Sequence, residues 1–203
     1  MNVYKAQSWG FASPLPHDGV VVHSNKELFE RITSYKREGV GLPVFGLLGG
    51  DLWRTLGGRN EETRLYQQNA TTVDIDLGCV LLDGKIYWFC AHMLIGNKFS
   101  GSKIFISNVA HYGKTNPAPK AHPGDGKFDM LKVELSTVQT IQAIKRLQTG
   151  THLPHPGIKY ERVESKQLSF KKKMKVEIDG EKLGKFENVS LRIENEALRV
   201  VVN

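Results

Sequence analysis

Thr72-Val73-Asp74-Ile75-Asp76-Leu77 alternates polar and apolar side chains with a period of two. That is the pattern of a strand with one face in a core and the other toward water. Downstream the pattern repeats in short pieces. Val80-Leu81-Leu82 and Lys85-Ile86-Tyr87-Trp88-Phe89 are joined by Asp83-Gly84, a dipeptide suited to a two-residue hairpin turn because glycine accepts a positive φ. Further strands are predicted over 103–107, 128–135, 158–163, 167–170, 174–178, 189–193 and 197–202. One helix is predicted here over 137–148, where Val138, Ile141, Ile144 and Leu147 recur at helical spacing before Gly150. Residues 113–126, rich in Pro, Gly, Lys and Asn, read as a loop. Many short strands separated by turns predict a β-sandwich.

Upstream of Thr71 the pattern is α/β. Val20-Val21-Val22 reads as a short buried strand, and Ser24-Asn25-Lys26-Glu27 as a capping box. Leu28, Phe29 and Ile32 give a helical stripe that ends near Gly39. Leu42 to Leu48 is a second strand, broken by Gly49-Gly50, and Asp51 to Leu56 is a short helix closed by Gly57-Gly58. The fold class expected is α/β plus all-β: a small N-terminal α/β domain over 1–69, followed by a larger β-sandwich domain over 70–203.

The chain has 203 residues, 40% of them hydrophobic and 24% charged, which suits a globular protein with a real core. No apolar run is long enough to span a bilayer, and the first residues, Met1 to Trp9, lack the apolar block of a secretory leader. A cytoplasmic location is the expectation. Cys79 and Cys90 lie in apolar, strand-like surroundings and read as free buried thiols. The formal net charge is +7, which favours phosphate-bearing partners. The densest basic run, Lys171-Lys172-Lys173 with Lys175 beyond, suits an anionic membrane surface. Lysines that guard a strand edge against pairing are the simpler reading. His92, in an apolar run, reads as a satisfied core histidine, and Trp9, Trp53 and Trp88 as core aromatics. Pro154 between His152 and His155 disfavours a helical zinc pair.

Val176-Glu177-Ile178-Asp179-Gly180-Glu181 runs a strand into a tight turn flanked by two acids. A carboxylate held at a rigid sheet edge is usable as a general base. Three further segments precede it in order: Phe45 to Gly57, with Gly49-Gly50-Asp51 at its centre; Asn108 to Gly113; and Gly124-Asp125-Gly126-Lys127-Phe128-Asp129. Taken with Thr149 to Gly157, this ordered set resembles the bacterial lipid kinases of the diacylglycerol kinase family, which also includes sphingosine kinases. The resemblance runs from about Leu42 to Val202.

The resemblance implies transfer of the γ-phosphoryl group of ATP to a lipid hydroxyl with Mg2+, in a cleft between an α/β domain and a β-sandwich. Carried over by residue, Glu181 is the general base and Asp179 positions the hydroxyl or the metal. Asp125 and Asp129 match the metal-site acids, and Gly49, Gly50 and Asp51 match the phosphate-side turn. Carboxylates are the right ligands for a hard cation, and phosphoryl transfer needs mainly positioning and charge neutralisation. Two departures stand out. The family's Gly-Gly-Asp-Gly-Thr nucleotide loop is replaced by Val21-Val22-His23-Ser24-Asn25-Lys26, in an N-terminal region shorter than the family's. The second turn reads Leu48-Gly49-Gly50-Asp51, without two polar side chains of the family pattern. Two functions compete: a reduced lipid kinase, and a lipid-binding or regulatory protein on the same fold that has lost nucleotide binding. A homodimer completing the N-terminal domain is a further expectation. No paired-aromatic RNA-binding signature appears, so nucleic acid is not an expected partner.

Overall fold

A Ser cap and a Glu three positions on close the first turn of a helix from both sides. The Ser24 hydroxyl accepts from the Glu27 amide at 3.1 Å, and the Glu27 carboxylate accepts from the His23 amide at 2.9 Å. Helix α1 spans Asn25–Glu38 and ends on Gly39 in the left-handed conformation. The structure is a computed structural model that describes residues 9–97, 102–135 and 156–203. Strands β1 (Phe11–Ala12) and β2 (Val20–Val22) precede α1, and β3 (Phe45–Leu47) and α2 (Gly50–Thr55) follow it. A 3-10 helix over Glu62–Tyr66 leads into β4 (Thr71–Leu82), β5 (Lys85–Phe89), β6 (His92–Gly96), β7 (Lys103–Ser107) and β8 (Phe128–Val133). The last strands are β9 (Ile158–Val163), β10 (Ser165–Ile178) and β11 (Glu181–Val202). The expected helix over 137–148, and His152 and His155, lie outside the described residues.

The result is the expected class: a small α/β part at the N-terminus of a protein that is otherwise mostly sheet. Its spine is β11, 22 residues long. One edge of β11 pairs antiparallel with β4 from Val189↔Leu82 to Val202↔Thr71. The other edge pairs with β10 over its first half and parallel with β3 at Val200↔Phe45 and Val201↔Gly46. β2 adds to β3 in parallel, so the α/β part is hydrogen-bonded onto the end of the spine. From β10 the ladder continues antiparallel through β6, β7, β8 and β9.

Among the described residues, the two largest buried clusters form along this spine. Leu28 and Ile32 of α1 pack with Phe45, Leu47, Val73, Ile75, Leu77, Leu198 and Val200. Val80, Leu82, Phe89, Met93, Ile95, Ile106, Phe128, Met130, Ile178 and Leu191 form the other. The alternation in β4 that first marked a strand is thus the inner face of the first core, since Val73, Ile75 and Leu77 are all buried.

Three expectations about strands need correction. Residues 167–170 and 174–178 belong to one strand, β10, because pairing with β11 resumes beyond an irregular stretch at 170–173. Lys171, Lys172 and Lys173 lie on that irregularity and are exposed. The β10–β6 pairing begins only at Val176, so among the described residues these lysines lie on an open strand edge, the edge-guarding role. Residues 189–193 and 197–202 are likewise one strand, β11. The polar stretch Glu194-Asn195-Glu196 that looked like a turn is a bulge. Glu196 takes a positive φ of 49° there, and its amide donates to the buried Asp76 carboxylate at 2.9 Å. Strand β6 was not expected at all, since His92 to Gly96 shows no clean alternation.

The second Asp76 oxygen accepts from the Gly126 amide at 2.8 Å, so one carboxylate fixes both the β11 bulge and the 124–127 turn. Burial pushes the Asp76 carboxyl above the usual carboxylate range, against the pull of these two bonds. Asp76→Ala strands both amides, and the expected loss is about 2–4 kcal/mol, measured by urea unfolding.

Candidate functional site

Helix α2 begins at a turn whose glycines are demanded by the chain's own backbone. A methyl group built at Gly49 would lie 2.3 Å from the His23 carbonyl oxygen, and one at Gly50 would lie 2.3 Å from Asn25 Oδ1. Gly50 also takes a φ of 92°, in the left-handed region. The residue preceding α2, Gly49, has no side chain to cap it. Asn25, the first residue of α1, supplies the cap from across the fold. Its Oδ1 accepts from the amides of Asp51 at 2.9 Å and Leu52 at 3.4 Å. Its Nδ2 donates to Asp51 Oδ2 at 3.2 Å.

Asp51 gathers two more partners. The Gly113 amide donates to Oδ1 at 2.7 Å, and His92 Nε2 lies 3.2 Å from Oδ2. Burial pushes the Asp51 carboxyl up, but the His92 bond and charge, Gly113 and Arg54 outweigh it and hold the group below the usual range. Next to it, Thr55 Oγ1 and His111 Nδ1 are 3.2 Å apart, which ties the 108–113 segment to α2.

Asp179 is placed by the β10–β11 turn, at a φ of 48°. It is 4% exposed. Its Oδ1 accepts from the amides of Ala91 at 3.0 Å and His92 at 2.7 Å, and its Oδ2 from the Cys90 amide at 2.8 Å and the Cys90 thiol at 3.3 Å. Its own amide donates to the His92 carbonyl at 2.9 Å. With no carboxylate oxygen left over, Asp179 holds the corner between β5 and β6 that presents the His92 ring. Burial pushes its carboxyl up, against those backbone bonds, and pushes the Cys90 thiol up as well. Two residues on, Glu181 is half-buried at the start of β11 and pairs with Lys26 Nζ at 2.8 Å. Asp51 and Glu181 are therefore held by consecutive residues of α1, Asn25 and Lys26, on one side of the molecule.

Asp125 and Asp129 belong to a different cluster. Both pair with the Arg162 guanidinium, Asp129 at 3.1 Å to Nε and Asp125 to a terminal nitrogen. Burial pushes the Asp129 carboxyl up, with Tyr160 and Arg162 pulling it down. The guanidinium already occupies the cation position between the two acids. Among the described residues no group of three or more His, Cys, Asp or Glu side chains could hold a metal ion. Asp129 Oδ2, on the side away from that guanidinium bond, is buried without a hydrogen-bond partner. The two clusters share a sheet row. His92 pairs across the strands with Ser107, Ser107 with Asp129, and Asp129 with Arg162. Register partners point to the same face, so these polar side chains cross four strands in line. His92 Nδ1 and Ser107 Oγ close the first step at 3.0 Å.

Beside Glu181 runs a groove of about 490 Å3 between α1, Tyr87 of β5 and the start of β11. Asn25, His92, Ser107 and Arg162 were not anticipated as site residues. Reading His92 as a satisfied core residue was right about its burial and partnered ring, yet one of those partners is Asp51. Asn25 lay in view inside the capping box, but nothing local says that its amide reaches another helix.

A small α/β part hydrogen-bonded to the end of a long antiparallel ladder, with Asp51, Asp179 and Glu181 at its junction, is the architecture of the lipid kinase fold. Residues 62–202 match the family described as the YegS C-terminal NAD kinase beta sandwich-like domain, and the chain belongs to it. Among solved structures, a diacylglycerol kinase from Bacillus anthracis strain Sterne is 14% identical, with a TM-score of 0.66 over 92% of this chain and 76% of that one. A provisionally named diacylglycerol kinase from the same strain is 13% identical, with a TM-score of 0.73 over 92% of this chain and 78% of that one. Another such structure is 12% identical with a TM-score of 0.70. At these identities the likeness is one of fold. No curated protein matches the chain. Among the described residues no helix is long and apolar enough to cross a membrane.

Asp179→Ala removes the acceptor of three buried backbone amides, with an expected loss of about 3–5 kcal/mol, read by denaturant unfolding. The two acids also titrate in opposite senses. Asp51, lowered, adds stability that is present above its unfolded pKa and lost as pH falls through its folded one. Asp179, raised, favours the fold below its unfolded pKa and loses that contribution as pH rises through its folded one. Carboxyl 13C titration checks the order: Asp51 ionises first as pH rises, Asp179 later.

Proposed function

We propose that this chain is a lipid-binding protein on the lipid kinase fold, with the β3–α2 turn, capped by Asn25 of α1, serving as a structural joint and not as a nucleotide seat. The observation that carries the reading is the Asn25 cap. A phosphate at a helix start needs free amides and close-approaching glycines. Here the amides of Asp51 and Leu52 are spent on Asn25 Oδ1, and the space beside Gly49 and Gly50 is filled by His23 and Asn25. The pairing of Asp125 and Asp129 with Arg162 supports the same reading from the metal side. The lipid belongs to the proposal through the family and through the neighbours named diacylglycerol kinases.

One observation favours the kinase reading in its place: Asp51, His92, Asp179 and Glu181 converge around the first turn of α1. In that reading Glu181 leaves Lys26 and takes the proton of the lipid hydroxyl. The hydroxyl oxygen bonds to the γ-phosphorus of ATP, and ADP departs with the electrons of the broken P–O bond. Calorimetric titration with Mg·ATP separates the two. No binding heat is expected up to millimolar nucleotide, together with retention of the chain on mixed-lipid vesicles. Label moved from ATP to lipid, and abolished by Glu181→Gln, would overturn the proposal in favour of a kinase. Failure to retain any lipid would overturn the lipid assignment itself.

A further inference from the structure

The hairpin arm from Lys171 to Glu187 concentrates the positive charge of the chain: it holds six lysines against four acids. Two of those acids are spent, Asp179 on backbone amides and Glu181 on Lys26. Lys171, Lys172 and Lys173 are exposed on the irregular stretch where β10 leaves its register with β11. Beyond it Lys175 and Lys185 are register partners, directly across from each other. Like charges so placed repel. Guarding the open edge of β10 accounts for the first three lysines but not for these two, which face each other across a paired stretch of ladder. Among the described residues none of the five closes an ion pair.

Lys175 and Lys185 point away from the core, since their neighbours Met174, Val176 and Phe186 pack into it. On the same outer side of β11, Ser190 lies between the buried Val189 and Leu191. Its register partners are Gln167 of β10 and Leu81 of β4. Leu81 in turn stands opposite Ile86 of β5. Leu81 is 41% exposed and Ile86 48%, so two large aliphatic side chains sit together in water. A shallow pocket of about 430 Å3, lined by Leu81, Gln167, Ser169 and Asn188, runs from them toward the lysines. The β4–β5 turn joins the two patches. The amides of Asn188 and Glu187, with the Lys173 charge behind them, hold the Asp83 carboxyl below the usual range.

We infer that this face docks the chain on an anionic membrane, with Lys171, Lys172, Lys173, Lys175 and Lys185 against the lipid phosphates and Leu81 with Ile86 set into the headgroup layer. Lysines held beside such a bilayer are drawn to its negative surface potential, each by about fivefold in partition. Exposed aliphatic side chains next to them add burial at the headgroup boundary. A nucleic acid would engage the lysines through its phosphates but leave Leu81 and Ile86 in water, so the pairing of charge with aliphatics favours the membrane. The face lies outside the Asp51–Glu181 junction, and the inference holds for either reading of that site.

The test is co-sedimentation of the full chain with phosphatidylcholine vesicles, alone or with about one third phosphatidylglycerol to make the surface anionic. Binding is expected to be at least tenfold tighter on the anionic vesicles, and to weaken at least tenfold between about 0.1 and 0.5 M salt as the charges are screened. The triple variant Lys171→Gln, Lys172→Gln, Lys173→Gln should lose on the order of a hundredfold. These residues lie off the β10–β11 ladder, so the sheet is kept. The pair Lys175→Gln and Lys185→Gln carries the same direction should the first variant disturb the arm. Ile86→Ser should weaken binding severalfold with the salt dependence unchanged. Equal retention on both vesicles, or retention untouched by both lysine variants, would overturn the docking face and leave lipid binding at the junction standing. Single-stranded RNA bound as tightly as the anionic vesicles, with binding lost in the lysine variants but not in Ile86→Ser, would overturn the membrane in favour of nucleic acid.

Discussion

The Asp179 carboxylate is the interaction on which the site depends. A buried anion in an apolar layer is costly unless its lone pairs are used. Here three consecutive backbone amides, Cys90 to His92, meet it. That arrangement fixes the corner between β5 and β6 and aims the His92 ring at Asp51. It also sets where β11 starts, and so places Glu181 against Lys26. An acid that from its turn position looked available for chemistry is fully engaged in structure. The acid with an exposed edge is its neighbour two residues on.

The same economy runs through the rest of the junction. Polar groups that resemble a phosphate-side turn are satisfied by the chain itself: the α2 amides by Asn25, and Asp51 by His92 and Gly113. Asp125 and Asp129 share the Arg162 guanidinium, while Asp129 Oδ2 is buried without a hydrogen-bond partner. Glycines at positions 49 and 50 fit this account, because the β2–α1 junction touches them directly. The Lys26–Glu181 pair is different in kind. It is a surface ion pair of small net strength, and a ligand can replace it.

Much of the architecture was legible from the sequence, and the reasons are local. The Ser24–Glu27 box and Gly39 bound α1 because capping is chemistry between near neighbours. The period-two run at Val73, Ile75 and Leu77 announced β4 because its inner face is a core. What escaped was non-local. Glu194-Asn195-Glu196 looked like a turn, because its bulge is held by Asp76 from a strand more than a hundred positions away. The row His92, Ser107, Asp129 and Arg162 exists only through the registers of three strand pairs, and register is written in no single strand. The ordered acids pointed correctly to the lipid kinase family. Their individual partners, an asparagine, a histidine and an arginine, carried no signal that spacing could reveal.

The central claim is that Asn25 fills the place a phosphate would take at the start of α2. The most direct measurement follows the amide resonances of Asp51 and Leu52 while Mg·ATP is added. The account predicts that both stay fixed through millimolar nucleotide and keep the slow exchange with solvent of hydrogen-bonded amides. A saturable shift of these two signals, with the Asn25 side-chain amide released in step, would contradict it.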